Sequence, residues 1–380
     1  MKQGWEYKKL GEICYITMGQ SPDGKSINDN EGVEFHQGKT CFGERTLGVS
    51  SLFSNAPVKL AEAHSVLLCV RAPVGYPNIT NRKICIGRGL CALYAKKDID
   101  NTFLFYSLLG KQSHFEKNAT GSTFKAISSK VISNTEIPLP PKSIQLAIVS
   151  ELDKINELIR LKKEQLKDYD NLAQSIFYEM FGDPVENEKG WEVKKLGDVC
   201  TDIRYGTSKP ACENGCYKYL RMCNITDDGF LNLSNLKTID IPDDEIEKCI
   251  VRHGDILFNR TNSIELVGKT CMFDNSEPMV IAGYIIRVRL NERLLPVVLA
   301  RMFNLVSIKK KLRSMAKGAV NQANINSKEL ASIRIPLPPL PLQHLFAQRI
   351  EQIERQKSAV QQSITDLETL LASRMQYWFE

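Results

Sequence analysis

The sequence has no uninterrupted apolar run close to the roughly 18 residues that a membrane-spanning helix requires. Its first ten residues are polar and charged, without the apolar segment of a secretory signal. The 11 cysteines are odd in number and scattered along the chain, which argues against a disulfide framework. We therefore expect a cytoplasmic protein with no membrane association and with reduced cysteines.

Patterns for catalysis and metal binding are also scarce. The five histidines show no metal-ligand spacing, and Cys212, Cys216 and Cys223 lack both zinc-knuckle spacing and a nearby histidine. No glycine-rich methyl-donor loop follows a strand pattern. Glu6 and Glu192 each stand two residues before a lysine, but neither has the partner aspartate of a nuclease. We expect no catalytic residue, no metal and no cofactor.

One pattern favours nucleotide binding as an alternative. Residues 19–26 match the G-x-x-x-x-G-K-[ST] phosphate loop. That loop requires a helix directly after it, whereas residues 27–32 have the composition of a turn. The corresponding segment of the second half, residues 206–210, lacks the pattern. A P-loop nucleotide-binding protein is therefore the weaker alternative.

What the sequence does contain is a long internal repeat. The pentapeptide Ile-Pro-Leu-Pro-Pro at 137–141 returns at 335–339, and the same offset of 198 residues aligns the next 40 positions without a gap. The prolines exclude a helix within the pentapeptide, which predicts a stiff extended strap. Behind each strap, apolar residues alternate in steps of three and four, as in a coiled-coil helix.

These two helices, of roughly 58 Å each at 1.5 Å per residue, are expected to lie antiparallel and to bury their seams against each other. Lys162 and Lys357 interrupt the seams, where each would lie against an apolar partner and fix the register. The predicted apolar seam residues are Ile148, Leu152, Ile155, Ile159, Leu166, Tyr169, Ile350, Ile353, Val360, Ile364, Leu367 and Leu371.

The segments that precede the helices repeat as well. Residues 4–14 return at 190–200 with eight of eleven positions identical. Residues 1–142 carry 18 basic and 12 acidic side chains, and residues 184–340 carry 23 and 19, whereas the helices are slightly acidic. The positive excess therefore lies in two lobes, which is where a polyanion would bind.

Strand patterns also recur in the two lobes. Residues 64–71 are aligned with residues 253–260, and each segment is interpreted as an apolar strand that ends in an arginine. This alignment places Ser65 and Val66 at the positions of Gly254 and Asp255, so the turn before the strand is expected to differ between the lobes. Next come residues 86–93 and 281–288, each interpreted as one apolar strand with an internal glycine.

Taken in this order and twice over, these motifs resemble the specificity subunits of type I restriction-modification systems. The resemblance covers essentially the whole chain. It depends on the Gly-Trp-x-x-Lys-Lys-Leu-Gly entries, the strand at 254–257, the polar loops Gly121-Ser122-Thr123-Phe124 and Asn321-Gln322-Ala323-Asn324-Ile325, and both Ile-Pro-Leu-Pro-Pro exits.

The resemblance implies an α+β fold with two pseudo-repeated mixed α/β target-recognition domains joined by two long antiparallel coiled-coil helices. The expected segments are 1–142 and 184–340 for the recognition domains and 143–183 and 341–380 for the helices. It implies a non-catalytic subunit whose lobes each read one half of a bipartite, asymmetric site in double-stranded DNA. The helix pair would set the spacer and dock two methyltransferase (modification) subunits, with restriction subunits joining for cleavage.

Polar and basic loop residues are the candidates for DNA contact, since lysine and arginine bind phosphates and Arg, Asn, Gln, Ser and Thr read base edges. In the first lobe they are Gln20, Ser21, Lys25, Arg71, Ser122, Thr123 and Lys125. In the second lobe they are Tyr205, Thr207, Lys209, Arg221, Asn224, Arg260, Asn262, Ser263, Asn321, Gln322 and Asn324. The basic run 309–313 is interpreted as a phosphate neighbour or a solvated helix face. The alternative function is a coiled-coil interaction scaffold whose degenerate lobes bind no DNA.

Overall fold

The computed structural model of the protein describes residues 4–121, 125–319 and 322–379. Its internal contacts divide the chain into two units, one of Met1–Lys163 with Gln362–Glu380 and one of Glu164–Gln361. Each unit combines a mixed lobe of sheet and helix with parts of two 40-residue helices, so the expected fold class is confirmed. None of the helices in the described ranges has the length and apolar character needed to cross a membrane.

The first lobe consists of short strands, short helices and two single 3-10 turns, Gly24–Ser26 and Lys39–Cys41. Its elements are β1 Glu6–Lys9, α1 Leu10–Ile13, β2 Cys14–Met18, β3 Ile27–Asn28, β4 Val33–His36, β5 Phe53–Ser54, β6 Leu60–Ala61, β7 Val66–Cys69, β8 Pro77–Ile79, β9 Ile84–Ile86, β10 Leu90–Ala95, α2 Asn101–Gly110, α3 Gln112–Lys117, α4 Ser129–Asn134 and β11 Glu136–Leu139. The long helix α5, Lys142–Phe181, comes next.

The central strand β7 is buried on both faces, which explains its continuous apolar sequence. It belongs to an antiparallel sheet in the order β2-β10-β7-β8. Val66 and Leu68 face a core that also contains helix α2 and the start of α5, whereas Leu67 and Cys69 face a second core with strand β9. Strand β9 is part of the second sheet, in the order β3-β5-β4-β9-β6.

The second lobe follows a similar plan and has two 3-10 turns of its own, Leu196–Val199 and Met222–Asn224. Its elements are β12 Glu192–Lys195, β13 Cys200–Tyr205, β14 Tyr217–Leu220, β15 Lys237–Ile239, α6 Asp243–Cys249, β16 Ile250–Val251, β17 Ile256–Asn259, β18 Thr261–Asn262, β19 Thr270–Met272, β20 Met279–Ile281, β21 Ile285–Leu290, α7 Pro296–Phe303, α8 Val306–Met315, β22 Lys317–Ala319, β23 Gln322–Asn324, α9 Ser327–Ser332 and β24 Arg334–Leu337. The long helix α10, Leu340–Phe379, comes after β24.

The main sheet of the second lobe has the same strand order as that of the first, whereas the other sheets differ in their number of strands. The order β13-β21-β17-β19 corresponds to β2-β10-β7-β8, and β15-β14-β20-β16 forms the second sheet. A third, three-stranded sheet has the order β18-β23-β22. The repeat detected in the sequence is therefore a repeat of topology.

The proline straps are extended, as predicted, and they also pair with the first strand of their lobe. Ile137 lies opposite Lys8 in the β1–β11 pair, and Ile335 lies opposite Lys194 in the β12–β24 pair. Because Pro138 and Pro336 donate no hydrogen bond, such short two-stranded edges are a position where they are tolerated.

A buried glutamine one turn into each long helix ties the strap to the lobe. Gln145 Nε2 donates to Pro140 O at 2.9 Å, and its Oε1 accepts from Asp100 N at 2.9 Å. Gln343 repeats both contacts, donating to Pro338 O at 2.8 Å and accepting from Leu295 N at 2.9 Å. These contacts explain why the glutamines recur at the same offset as the straps.

The prediction of single strands at 86–93 and 281–288 is wrong. In the first lobe, β9 ends at Ile86, a turn occupies residues 87–89, and β10 begins at Leu90. Strand β9 pairs with β4 and β6, whereas β10 pairs with β2 and β7, so the turn carries the chain from one sheet to the other. Strands β20 and β21 are divided in the same way.

The predicted alignment of His64 with His253 is wrong by one residue. The expected difference between the two turns is also wrong. His64 and Gly254 are the equivalent positions, since both have left-handed backbone, with φ of 69° and 89°. Ser65 N donates to Glu62 O and Asp255 N donates to Arg252 O, closing the same turn. Arg71 therefore corresponds to Thr261, and Arg260 corresponds to Val70.

The long helices run antiparallel within each unit. In the first unit, Glu151 pairs with Arg374, and Lys163 pairs with Glu368 at 3.2 Å. In the second unit, Asp170 pairs with Lys357 at 2.5 Å, and Glu179 lies 3.9 Å from Arg349. In both cases a higher residue number on α5 meets a lower number on α10.

Most predicted seam residues are buried within their own unit. Half-buried positions are Leu166, Tyr169, Leu367 and Leu371. The buried positions are Ile148, Leu152, Ile155, Ile159, Ile350, Ile353, Val360 and Ile364. Helix α5 ends as its sequence predicts, because Gly182 has a φ of 74° and its N–H donates to Tyr178 O.

The sequence predicted an apolar partner for Lys357, whereas the structure gives it an acidic one. Its ammonium forms the 2.5 Å ion pair with Asp170 and also lies 4.2 Å from the centre of the Phe230 ring. Arg301 lies over the same ring at 5.0 Å and pairs with Glu354 at 2.5 Å. The lysine therefore takes part in an ionic and aromatic cluster.

Candidate nucleic-acid interface

Each lobe attaches a polar hairpin beside the end of its central strand. In the first lobe, Thr120 and Ala126 exchange backbone hydrogen bonds of 2.9 and 2.8 Å, and Arg71 is bridged to Ala126. In the second lobe, β23 pairs with both β22 and β18, which places Asn324 opposite Lys317 and Thr261. The described parts of the two polar loops predicted to close the lobes are therefore joined to the sheet by backbone pairing.

Three of the predicted candidates, Ser122, Thr123 and Asn321, lie outside the described residues. Gln322 lies in β23, opposite Ala319 of β22.

Two further candidates of the first lobe, Gln20 and Ser21, contact residues next to the turn between β9 and β10. Gln20 N donates to Ile86 O at 3.0 Å, and the Ser21 hydroxyl donates to Gln37 Oε1 at 2.8 Å. Gly19 is required here because a Cβ atom would lie 2.1 Å from Gly87 O. The loop at 87–89 thus lies between these residues and the hairpin.

Sequence reasoning missed several residues in this region. Gln37 is one, and Lys39, whose ammonium lies 4.9 Å from the Tyr76 ring centre, is another. Arg88 lies exposed in the turn that joins β9 to β10. A charged residue between two glycines, inside an otherwise apolar run, was the available signal for that turn.

The cations at this edge are exposed and lack ion-pair partners. Within the described ranges, no carboxylate pairs with Lys39, Arg71, Arg88 or Lys125. Unpaired cations on one edge are suited to phosphate contact, because they need not give up an internal partner.

Lys25 lies apart from this group. It belongs to the 3-10 turn Gly24–Ser26, where its N–H donates to Asp23 Oδ1 at 2.9 Å. The short edge strand β3 begins directly after this turn, whereas a phosphate loop requires a helix at that point. The geometry therefore does not favour the nucleotide-binding alternative.

In the second lobe, the structure brings Tyr205, Arg260 and Asn324 together. The Arg260 guanidinium lies 4.7 Å from the Tyr205 ring centre, and its Nε donates to Asn324 Oδ1 at 3.2 Å. Asn262 lies on β18, next to the hairpin. Ser263 accepts backbone hydrogen bonds from Leu266 and Val267 in the turn after β18.

The remaining candidates of the second lobe have partners within the lobe. Lys209 pairs with Glu245 at 2.9 Å, and the Thr207 hydroxyl accepts from Lys209 N at 3.1 Å. Arg221 donates to a backbone carbonyl at 2.8 Å, and Asn224 is 2% exposed with its amide bonded to Arg221 N and Asn232 O. These contacts make Asn224 a structural residue.

Two residues of the basic run on α8 bind backbone carbonyls of the same lobe. Lys309 Nζ donates to Asp227 O at 2.7 Å, and burial lowers the pKa of its ammonium. Arg313 donates to Glu265 O at 3.0 Å. Lys310 is exposed, so it is the member of the run that a phosphate would reach most directly.

Two of the three exposed cysteines, Cys212 and Cys216, share the carboxylate of Asp240. Cys212 Sγ donates to Asp240 Oδ2 at 3.5 Å, and a hydrogen bond to the same carboxylate raises the pKa of Cys216. A protonated thiol is a poor metal ligand. Across residues 4–121, 125–319 and 322–379, no three His, Cys, Asp or Glu side chains are arranged to hold a metal ion.

Both halves of the chain match the same protein family. Residues 2–168 and residues 188–369 match the model of the type I restriction modification DNA specificity domain. The chain therefore belongs to this family and carries its domain twice, which confirms the resemblance noted in the sequence.

Curated relatives are named as specificity subunits. The putative type I restriction enzyme MjaX specificity subunit of Methanocaldococcus jannaschii is 39% identical over 178 residues, covering 46% of this chain and 42% of the relative. The MjaVIII specificity subunit of the same organism is 24% identical over 377 residues, covering 93% and 86%. The MjaIX specificity subunit of the same organism is 26% identical over 236 residues, covering 55% of this chain and 54% of the relative. The chain thus spans about half the length of two of these relatives, 42% of MjaX and 54% of MjaIX.

Solved structures share the fold. The S subunit of a type I restriction-modification system from M. genitalium covers the whole chain with a TM-score of 0.54 and 15% identity, and 98% of that subunit is matched. A chain from a study of complex assembly and conformational transition of the type I R-M system has a TM-score of 0.66 and 20% identity, with 100% and 98% covered.

Proposed function

We propose that this chain is the sequence-specific DNA-recognition subunit of a type I restriction-modification complex and that it has no catalytic role of its own. Each lobe, 1–142 and 184–340, reads one half of a bipartite, asymmetric site in double-stranded DNA. The edge that carries the polar hairpin is the DNA-facing edge. Methyl transfer and cleavage are carried out by partner subunits.

The observation that carries this proposal is that one scaffold presents two different sets of polar side chains. Both hairpins are attached to the central strand by the same backbone contact, Ile127 N to Val70 O at 3.0 Å and Ile325 N to Arg260 O at 2.9 Å. Around them, the first lobe presents exposed cations, and the second presents an arginine held by tyrosine and asparagine. Different side chains at equivalent positions are what reading two different half-sites requires.

The long helices 143–183 and 341–380 are proposed to set the spacer and to dock two modification subunits. A continuous helix of 40 residues is about 60 Å long, whereas half-sites one turn of B-DNA apart are about 34–36 Å from each other. Leucines that remain exposed on these helices would contact partner subunits. They are Leu146, Leu158, Leu161, Leu172, Leu345 and Leu370.

The test is the methylation pattern of a host that expresses this chain together with its modification subunits. Sequencing that reads methylated bases should show one bipartite motif that disappears when this chain is deleted. The scaffold alternative predicts an assembled and active methyltransferase without such a motif. That result would refute sequence recognition by the lobes.

A further inference from the structure

The second lobe holds one arginine side chain in a fixed position beside the hairpin. The backbone of Arg260 donates to Tyr284 O at 3.0 Å and accepts from Ile325 N at 2.9 Å. Its guanidinium lies 4.7 Å from the Tyr205 ring centre, and its Nε donates to Asn324 Oδ1 at 3.2 Å. Main chain, ring and amide therefore restrain this side chain together.

The groups that hold the arginine are themselves fixed. The Tyr205 hydroxyl accepts from Ser327 N at 2.8 Å, and the Thr261 hydroxyl donates to Asn324 Oδ1 at 3.3 Å. Within the part of the chain that the structure describes, Arg260 forms no ion pair, and its two terminal nitrogens form no hydrogen bond. The guanidinium is thus oriented while its outer donors are left for a ligand.

The first lobe shows that the fold does not need this arrangement. Equivalent backbone bonds, Val70 N to Gly89 O and Gly19 N to Leu90 O, identify the corresponding positions. In the first lobe these positions hold Val70, Met18 and Ala126 in place of Arg260, Tyr205 and Asn324. All three are apolar there, so the polar cluster of the second lobe has another purpose.

We propose that Arg260 reads a guanine in the half-site bound by the second lobe, with Tyr205 and Asn324 as its positioning residues. This inference rests on the proposed function of DNA recognition. Two parallel N–H donors of arginine match O6 and N7 of guanine in the major groove, which is the commonest specific contact to a base. Because the side chain is already ordered, less rotamer entropy is lost on binding.

The experiment uses the full chain in complex with the modification subunits of its host. Binding is measured to duplexes in which each base pair of the methylated motif is substituted in turn. For the wild type, replacing one G·C pair should weaken binding about tenfold or more. With Arg260→Val that pair should no longer matter, whereas every other position keeps its effect. Tyr205→Met and Asn324→Ala should reduce the preference for the same pair only.

Arg204→Ala is the matched control, because Arg204 neighbours Tyr205 but pairs with Asp202 at 2.8 Å. It should change no base preference. The triple variant Arg260→Val, Tyr205→Met and Asn324→Ala has the side chains that the first lobe carries at these positions, so it is expected to fold. Unchanged reading of the other half-site reports an intact complex.

Two results would overturn the inference while leaving the proposed function in place. One is uniform weakening by Arg260→Val at every position with a lower salt dependence, which would make Arg260 a phosphate contact. The other is an unchanged base preference. A wild-type complex without any bipartite motif would instead refute the proposed function itself.

Discussion

At the scale of single residues, the first lobe contains a buried charge cluster that holds a loop. Glu34 accepts hydrogen bonds from Arg82 Nε at 2.5 Å, Ser50 N at 2.7 Å and His36 Nε2 at 2.9 Å. Arg82 also donates to Gly48 O at 2.8 Å. The same loop brings Arg45 to Asp153 on α5, at 2.7 Å. The cluster therefore fixes the loop that attaches the lobe to its helix.

This cluster makes the stability of the first unit depend on pH. Burial alone would raise the pKa of Glu34, but hydrogen bonds from Arg82, Ser50 and His36 hold it at about 2. Burial lowers the pKa of His36, although Glu34 opposes that shift. Both folded-state values lie below those of the unfolded chain. Stability is therefore lost as pH falls below about 6.5 for the histidine and from about 4.3 towards 2 for the glutamate.

We predict that Glu34→Gln lowers the free energy of unfolding at pH 7 by about 3 kcal/mol. It should also flatten the loss of stability between about pH 5 and 3, because the titrating carboxyl has been removed. Thermal unfolding followed at several pH values measures both effects. Glu62→Gln is the control, since Glu62 forms an exposed pair with Lys83 at 2.7 Å. Parallel curves for Glu34→Gln and wild type down to pH 3 would contradict the prediction.

At the scale of elements, the antiparallel helices combine an apolar seam with ion pairs of different burial. The Lys357 side chain is 15% exposed in its pair with Asp170, whereas Lys163 and Glu368 are about half exposed. Replacing Lys357 by leucine therefore does more than extend the seam. It leaves Asp170 without its cation and removes the contact with Phe230.

We predict a coupling free energy of about 1 kcal/mol between Lys357 and Asp170, and less than about 0.5 kcal/mol between Lys163 and Glu368. The two double-mutant cycles use leucine for the lysines and the neutral amides Asn and Gln for the acids, with chemical denaturation as the measurement. The seam pattern alone predicts that Lys162→Leu with Lys357→Leu stabilises the helix pair but loosens its register or promotes wrong association. The ion pair now predicts that Lys357→Leu destabilises them. Equal coupling in both cycles would show that burial of the pair has no effect.

The sequence predicted the long helices well because their information is local and periodic. An apolar seam and a gapless offset of 198 residues determine helix type, length and repetition together. The partner of Lys357 was not predictable in this way, since a seam pattern does not say which neighbouring acid turns inward. The turns at 87–89 and 282–284 were missed because an apolar run buried on both faces gives no alternation from which to locate a break, and the glycines in these runs were interpreted as internal to one strand.

At the scale of the whole molecule, the duplicated scaffold predicts that recognition is modular. Exchanging residues 184–340 for the second lobe of a related specificity subunit should change one half of the methylated motif and leave the other half unchanged. Exchanging residues 1–142 should give the converse result, which serves as the matched control. Methylation-sensitive sequencing of hosts with each chimera is the measurement, and a change in both halves would exclude modular reading.

The sequence was less informative about the candidate site than about the fold. It selected the hairpin segments and Arg260 as candidates, because polar residues next to apolar strand patterns are recognisable. It could not show that Lys309 bonds the carbonyl of Asp227, because that contact joins residues 82 positions apart. It also could not show that Asn224 is buried, because composition alone does not determine how a loop closes on its own side chains. Gln37, Lys39 and Tyr76 were missed because their contacts join residues that are far apart in the sequence.

The way in which Arg260 is attached to its lobe bears on how new recognition could arise. Its main chain is held by Tyr284 and Ile325, and the main chain of Val70 is held equivalently by Gly89 and Ile127. The side chain at this position therefore carries no share of the sheet's hydrogen bonding. Replacing Arg260 would therefore leave the hydrogen bonding of the sheet intact, so the sequence preference at this position can change without rebuilding the backbone that carries it.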